Sequence, residues 1–307
     1  MPAQARFLLL VTPLMERSPA LERAAALAKA EGAALHILAF DYLEGLATAG
    51  LVNEQALEQM RLGYVERHQH WLEDQARPLR NLGLTVTTEV VWVEHPLKEL
   101  LLRLKEEPMA LVIKALEHES WLSRLMFTPL DVHLLRECPV PLHFVSKVRH
   151  ALPRKIVAAV DPFHRDGRYE GLNDRILHEA TKLATACDAD VEVIYAHDLS
   201  DLGAQEYGFG SGAEFFSSQA AKLLFDEQAR AFDDLAARNG IPPEQRHMIL
   251  GTPASVLASY ADAYNVDVIV MGRVGHPGLT RLLGSTTEAL LYKMPCSVWT
   301  VSPEVFD

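Results

Sequence analysis

Residues 154–162 read Arg-Lys-Ile-Val-Ala-Ala-Val-Asp-Pro, and residues 6–13 read Arg-Phe-Leu-Leu-Leu-Val-Thr-Pro. Each is a short apolar run between a basic residue and a polar residue followed by proline. A run of that length bounded by turn signals reads as a buried strand. The pairing continues along the chain. VVWVEHPLKELL around Pro96 is matched by HMILGTPASVLA around Pro253, ALVIK ending at Lys114 by DVIVMG ending at Gly272, and HLLRECPVPLHFV by ALLYKMPCSVWTV. Pro139 and Pro295 stand 156 residues apart, and Pro96 and Pro253 stand 157 apart. Landmarks in one order at a near-constant offset mark a tandem duplication.

Within each half, strand-like runs alternate with helix-forming stretches. FLLLV, ALHILAF, LTVTTEVVWV, ALVI and PLHFV in the first half correspond to KIVAAV, VEVIYA, RHMIL, DVIVM and SVWTV in the second. Ser18-Pro19, with Glu22 behind it, reads as a capping serine and a first-position proline opening a helix to Glu31, and a second long helix is expected over Glu54–Arg80. Strands joined by helical crossovers form parallel sheets covered on both faces. The expected fold is therefore α/β: two tandem, doubly wound, five-stranded parallel-sheet units. The polar stretch SKVRHALPR separates them, giving domains 1–148 and 149–307.

Composition narrows the function classes. The chain has 307 residues, 49% of them hydrophobic and 23% charged, with 29 Lys+Arg against 41 Asp+Glu and a formal net charge of −12. No Lys/Arg run offsets that charge, so a nucleic-acid partner is not expected. Cys138, Cys187 and Cys296 are too few and too far apart for a disulfide framework or a zinc module. The start, MPAQARFLLLVTPLMERSP, carries five consecutive apolar residues after Arg6, short of a signal h-region and of a membrane span. A cytoplasmic protein is expected.

In a doubly wound sheet a ligand binds beyond the carboxyl ends of the strands. In the second half those ends are Val160-Asp161-Pro162, Ala196, and Met271-Gly272-Arg273. Gly272-Arg273-Val274-Gly275-His276-Pro277-Gly278 is glycine-rich, and Gly284-Ser285-Thr286-Thr287-Glu288 opens an apolar helical stretch. Glycines let a backbone approach a phosphate, and a helix start offers free N–H groups and a positive dipole end. Ser285 and Thr286 add hydroxyl donors.

On these residues the second half resembles a universal stress protein domain, whose nucleotide-binding members carry Gly-x2-Gly-x9-Gly-Ser/Thr after strand four and an Asp after strand one. Here the spacing is Gly272-x2-Gly275-x8-Gly284-Ser285, one residue shorter. The first half carries Phe127-Thr128-Pro129-x-Asp131-x-His133-Leu134-Leu135-Arg136-x-Cys138-Pro139. With the duplication, that run resembles the tandem, E-type members of the family, and the resemblance spans essentially the whole chain.

The resemblance implies a Rossmann-like, adenine-nucleotide-hydrolase-like fold with its halves packed as an internal pseudo-dimer, the fifth strands Leu142–Val145 and Ser297–Val301 pairing, and room for further homodimerisation. It implies a small-molecule ligand, ATP or AMP, in the second half. Asp161 and Pro162 would face adenine or ribose beside Ala196 and Met271. Gly272, Arg273, Gly275, Gly284, Ser285 and Thr286 would surround the phosphates. No nucleotide is expected in the first half, where Thr12 stands for Asp161, Lys114-Ala115 for Met271-Gly272, and Thr128-Pro129 for Gly284-Ser285.

Each of these residues has a plainer reading. The glycine loop also suits a turn inherited from a binding ancestor, and Asp161 a cap for the Pro162 turn. Lys114 is either a cation for an acidic ligand or the partner of Glu117 or Glu119. His68 and His70 are two apart on a helix and face different sides, as do Asp131 and His133, so no metal site is assigned. The aromatic segment Leu199–Ser218 suits a lid or a surface loop. No Gly-x-Ser-x-Gly elbow, Walker motif or metalloprotease helix occurs, and no catalytic residue is assigned. The function expected is stress-response ligand sensing or protection. A protein-interaction or apolar-ligand module without a nucleotide, and a weak nucleotide hydrolase, are the alternatives.

Overall fold

The computed structural model describes residues 4–12, 15–41, 54–116, 130–146, 148–163, 170–198, 219–273, 290–291 and 293–303. The chain divides into two compact units, Met1–Leu152 and Pro153–Asp307. The first contains strands β1 (Arg6–Val11), β2 (Ala34–Asp41), β3 (Val86–Trp92), β4 (Leu111–Ala115) and β5 (Leu142–Val145). Its helices are α1 (Pro19–Glu31), α2 (Glu54–Asn81), α3 (Pro96–Glu106) and α4 (Leu130–Glu137). The strands lie in the order β3-β2-β1-β4-β5, all parallel.

The second unit contains β6 (Lys155–Ala159), β7 (Asp190–His197), β8 (Arg246–Leu250), β9 (Val268–Gly272) and β10 (Ser297–Val301), with helices α5 (Leu172–Cys187), α6 (Gln219–Arg238) and α7 (Pro253–Ala263). Its order is β10-β9-β6-β7-β8, again parallel. Both units are doubly wound. From the first strand of each, the chain steps outward one way for two strands and the other way for the next two.

Burial explains which runs were easy to read. Phe7, Leu8, Leu9 and Leu10 of β1, and Val268 to Met271 of β9, are buried on both faces. A central parallel strand covered by helices on both sides shows such an uninterrupted apolar run. The outer strands β3 and β8 are mostly half-buried and carry Thr87, Thr88, Glu89, Arg246 and His247. On β3, Gln69 of α2 donates to Thr88 Oγ1 at 2.9 Å, while Arg103 of α3 meets the next residue, Glu89, at 2.7 Å. Successive strand residues point to opposite faces, so α2 and α3 cover opposite sides of the sheet, as right-handed crossovers in opposite directions require.

Proline opens α1, α3 and α7 at the first turn, where its missing N–H costs nothing. Ser18 departs from expectation. Its side chain makes no capping hydrogen bond, and its carbonyl instead accepts the Leu21 N–H at 3.1 Å. With proline at N1, the carbonyl contact closes the first turn without the hydroxyl. Gly32 ends α1 in the left-handed region at φ 63°. Among the described residues no helix is long and apolar enough to cross a membrane.

Candidate functional site

The second unit reverses direction between β6 and β9, since the chain runs β6 to β7 to β8 on one side and β9 to β10 on the other. A ligand crevice forms at such a switch point, beyond the carboxyl ends of the two strands. Asp161 follows β6, and Met271 and Gly272 end β9, so the sheet brings these expected residues together although 110 residues separate Asp161 from Met271. Ala196, near the end of the neighbouring β7, joins the same row of strand ends.

Asp161 is exposed, and its backbone is fixed from both sides. Asn173 Oδ1 accepts the Asp161 N–H at 3.0 Å, and Asn173 Nδ2 donates to the Asp161 carbonyl at 2.7 Å. The Asp161 carboxylate accepts the Phe163 N–H at 3.0 Å, an Asx turn over Pro162. The plain capping role is thus present, and one carboxylate oxygen serves it. Asn173, on the first turn of α5, was not singled out in the sequence, although a polar residue at a helix start is the usual signal for such a clamp.

Gly272 has a packing role. A Cβ placed there would lie 2.8 Å from Leu172 Cδ2 and 3.2 Å from Ile176 Cδ1, both on α5. The glycine lets α5 lie close against β9. Met271 is buried opposite Ala159 and Thr300. Arg273 is also buried. Its N–H donates to the Val301 carbonyl at 2.8 Å and its guanidinium to Ser302 Oγ at 3.3 Å, which ties it to the end of β10. Gly275, Gly284, Ser285 and Thr286 lie outside the described residues, as does the Leu199–Ser218 segment.

The close helix approach sets an expectation. Gly272→Val should destabilise the protein by about 1–3 kcal/mol, the usual cost of forcing extra carbons into a packed contact, read as a lower urea midpoint. Gly272→Ala should cost less, because a Leu172 side-chain end can give way. Equal midpoints for wild type and Gly272→Val would show that the α5 contact yields freely.

Two side chains that the sequence reading passed over line the same strand ends. Burial, and then the charges of Asp161 and Asp198, push the Tyr195 hydroxyl up to about 12. Burial pulls His197, the last residue of β7, below the ordinary histidine range. Phe163 lies 6.1 Å from Tyr195, and Phe225 of α6 meets His197 edge-on at 5.5 Å. The wall beside Asp161 is aromatic and neutral.

The universal stress protein family model matches residues 7–146 and, a second time, 153–302. The chain belongs to the universal stress protein family. It is 24% identical over 303 residues to universal stress protein E of Escherichia coli (strain K12), covering 98% of this chain and 94% of that protein. It is 25% identical to universal stress protein E of Photorhabdus laumondii, covering 98% and 95%. A putative universal stress protein from Pseudomonas aeruginosa shares the fold with a TM-score of 0.72 at 24% identity, covering 98% of this chain and 94% of that one. A universal stress protein from Archaeoglobus fulgidus does so with 0.69 at 17% identity, covering 98% and 97%.

The first universal stress protein unit has its switch point between β1 and β4. Thr12 follows β1, and Lys114 is the next-to-last residue of β4. The Lys114 ammonium sits 3.0 Å from Asp131 on α4, both nearly buried. Asp131 is not a partner the sequence suggested; Glu117 and Glu119 lie outside the described residues. One strand along, Asp41 ends β2 as His197 ends β7. His68 Nδ1 of α2 lies 2.5 Å from Asp41 Oδ2, and the Tyr64 ring packs tilted against the His68 ring, centroids 4.3 Å apart, with its own edge contact to Trp92 at 5.9 Å. The corner lined in the second unit by single rings is filled in the first by its own paired side chains. Cys138, Cys187 and Cys296 are all buried.

Proposed function

We propose that this universal stress protein is a cytoplasmic, non-catalytic stress-response sensor with one adenine-nucleotide site, for ATP or AMP, at the switch point of its second unit. The observation that carries this reading is the exposed Asp161 carboxylate standing beside the end of β9 at that switch point. The aromatic wall of Phe163, Tyr195 and His197 suits a flat base, and the residues after Gly272 supply the glycines and hydroxyls that a phosphate needs. Among its described residues the first unit differs, with Thr12 in the place of Asp161. Its switch point carries the Lys114–Asp131 pair, and the neighbouring corner carries Tyr64, His68 and Asp41.

Calorimetric titration with ATP, ADP and AMP, with and without magnesium, tests the reading. Wild type should bind one nucleotide per chain with a Kd of micromolar order, about −8 kcal/mol. Asp161→Ala should weaken binding about ten- to hundredfold, the worth of a hydrogen bond to a charged group. Gly284→Pro should abolish binding by removing a backbone donor. Two sites per chain, or no heat with any nucleotide, would overturn the proposal, and the second result would favour a protein-interaction or apolar-ligand module. Turnover of ATP that disappears in Asp161→Ala would show a hydrolase instead.

A further inference from the structure

The buried face of α2 is a single stripe. Among the helix side chains described, only His68, Leu72 and Ala76 are buried, four residues apart, and every one described from Gln55 to Arg67 is exposed or half-exposed. His68 is therefore the last buried residue toward the amino-terminal half of the helix, which beyond it meets the sheet through the edge contact of Tyr64 with Trp92. That anchor is a polar pair. His68 Nδ1 lies 2.5 Å from Asp41 Oδ2, the aspartate is fully buried, and among the described residues its Oδ1 has no hydrogen-bond partner. The corresponding helix of the second unit, α6, buries only Phe232, Leu235 and Ala236 among its described side chains.

Stability alone does not call for this choice. A leucine continuing the stripe would hold the helix at least as well, because desolvating a buried ion pair offsets most of its attraction. A polar pair at a terminal anchor makes the anchor depend on charge. We propose that Asp41 and His68 form a proton-dependent latch that holds α2 against the carboxyl end of the first unit's sheet. This stands independently of the nucleotide reading, and it gives the unit without an expected nucleotide a ligand of its own, the proton.

The surroundings set the direction. From α2, the Tyr64 ring packs tilted against His68, with the Arg67 guanidinium 5.8 Å over the Tyr64 ring. From β3, the residue paired with Asp41 is Trp92, which carries no charge. One turn deeper, Glu73 is held at about 2 by Arg80 and Thr88 and stays ionised. From the segment after β1, Glu16 lines a cleft of about 220 Å³, including its open mouth, beside Trp71, Leu72 and Gln75. The 42–53 connection contributes one carboxylate by sequence, Glu44. Burial pushes the Asp41 carboxyl above its ordinary range, and His68 pulls it only part of the way back.

Freed from the sheet, Asp41 returns toward the ordinary carboxylate value. The latched state thus binds the proton more tightly than the released state. The latch tightens as pH falls through the raised value and loosens as pH rises from the ordinary value to the raised one. Its closed-to-open ratio changes about tenfold for each unit by which burial raises Asp41.

Hydrogen–deuterium exchange at about pH 4 and about pH 7.5, corrected for intrinsic exchange, tests the latch from the ordinary carboxylate value upward. Amides 64–71 should be several-fold better protected at the lower pH, with those of 76, 77 and 79–81 unchanged as the internal control. Asp41→Asn, neutral at both values, should remove the difference. The pair Asp41→Leu with His68→Leu should keep amides 64–71 protected at both values, which preserves the test if the single variant folds poorly. Equal protection of 64–71 in wild type at the two values would overturn the proposal. So would a full pH response in Asp41→Asn or in the leucine pair.

Discussion

Replacing Lys114 with methionine should cost about 3–5 kcal/mol, although the substitution keeps most of the side chain's length. Lys114 and Asp131 face each other at 3.0 Å with side chains only 11% and 4% exposed. Removing the cation takes from a nearly buried carboxylate the ammonium 3.0 Å away, and the cost of keeping that charge buried, rather than the lost attraction, sets the size of the effect. Asp131 lies in the first turn of α4, where the helix dipole favours a negative charge. That places the loss nearer the lower figure. The double variant Lys114→Met with Asp131→Leu should recover most of the stability, since an apolar pair of similar volume replaces a buried ion pair at little cost. Urea unfolding followed by circular dichroism reads both as midpoint shifts at constant slope. A loss below about 1 kcal/mol in the single variant would mean that the pair behaves as a solvated surface bridge.

The same pair shows where sequence reading stops. Lys114 was legible as a cation at a strand end, and Asp131 as part of a recognisable run, but 17 residues separate them. Only the crossover through α4 brings them together. The strands were legible because central parallel strands must be apolar on both faces, so β1 and β9 stand out as unbroken runs. The switch point followed from strand order, and with it the neighbourhood of Asp161 and Gly272.

What the pattern could not say is what each residue touches. Gly272 reads as a phosphate glycine by its loop, yet its lack of a Cβ is already needed by Leu172 and Ile176 of α5. His68 was weighed against His70 for a metal and set aside on helical geometry. Its partner, Asp41, is 27 residues upstream and becomes a neighbour only when α2 packs back on β2. Contacts across a crossover carry no local signature, and the most consequential polar contacts of this chain are of that kind.

Asp267 is a further example and should give the second large effect. It precedes β9 at the amino end of the sheet and is almost fully buried. Its Oδ2 accepts the N–H groups of Arg154 at 2.8 Å and Lys155 at 3.1 Å, its own N–H donates to the Lys155 carbonyl at 2.9 Å, and its carbonyl accepts the Ser297 N–H at 3.2 Å. One residue thereby joins the starts of β6, β9 and β10. Asp267→Ala keeps the backbone bonds but takes the acceptor from two part-buried donors, each at most about 1–3 kcal/mol, so a loss of about 2 kcal/mol is expected once water reaches them. Asp267→Asn retains a carbonyl oxygen in the same place and should lose less than half as much. The nucleotide affinity proposed for the second unit should not move in either variant. The residue sits at the opposite end of β9 from Gly272, five residues and about 17 Å away at about 3.3 Å per residue. An Asp267→Ala protein that unfolds at lower urea yet binds ATP as wild type does would separate the residues that hold this sheet together from those that serve its ligand end. Unchanged stability would show that water satisfies the two N–H groups as well as the carboxylate does.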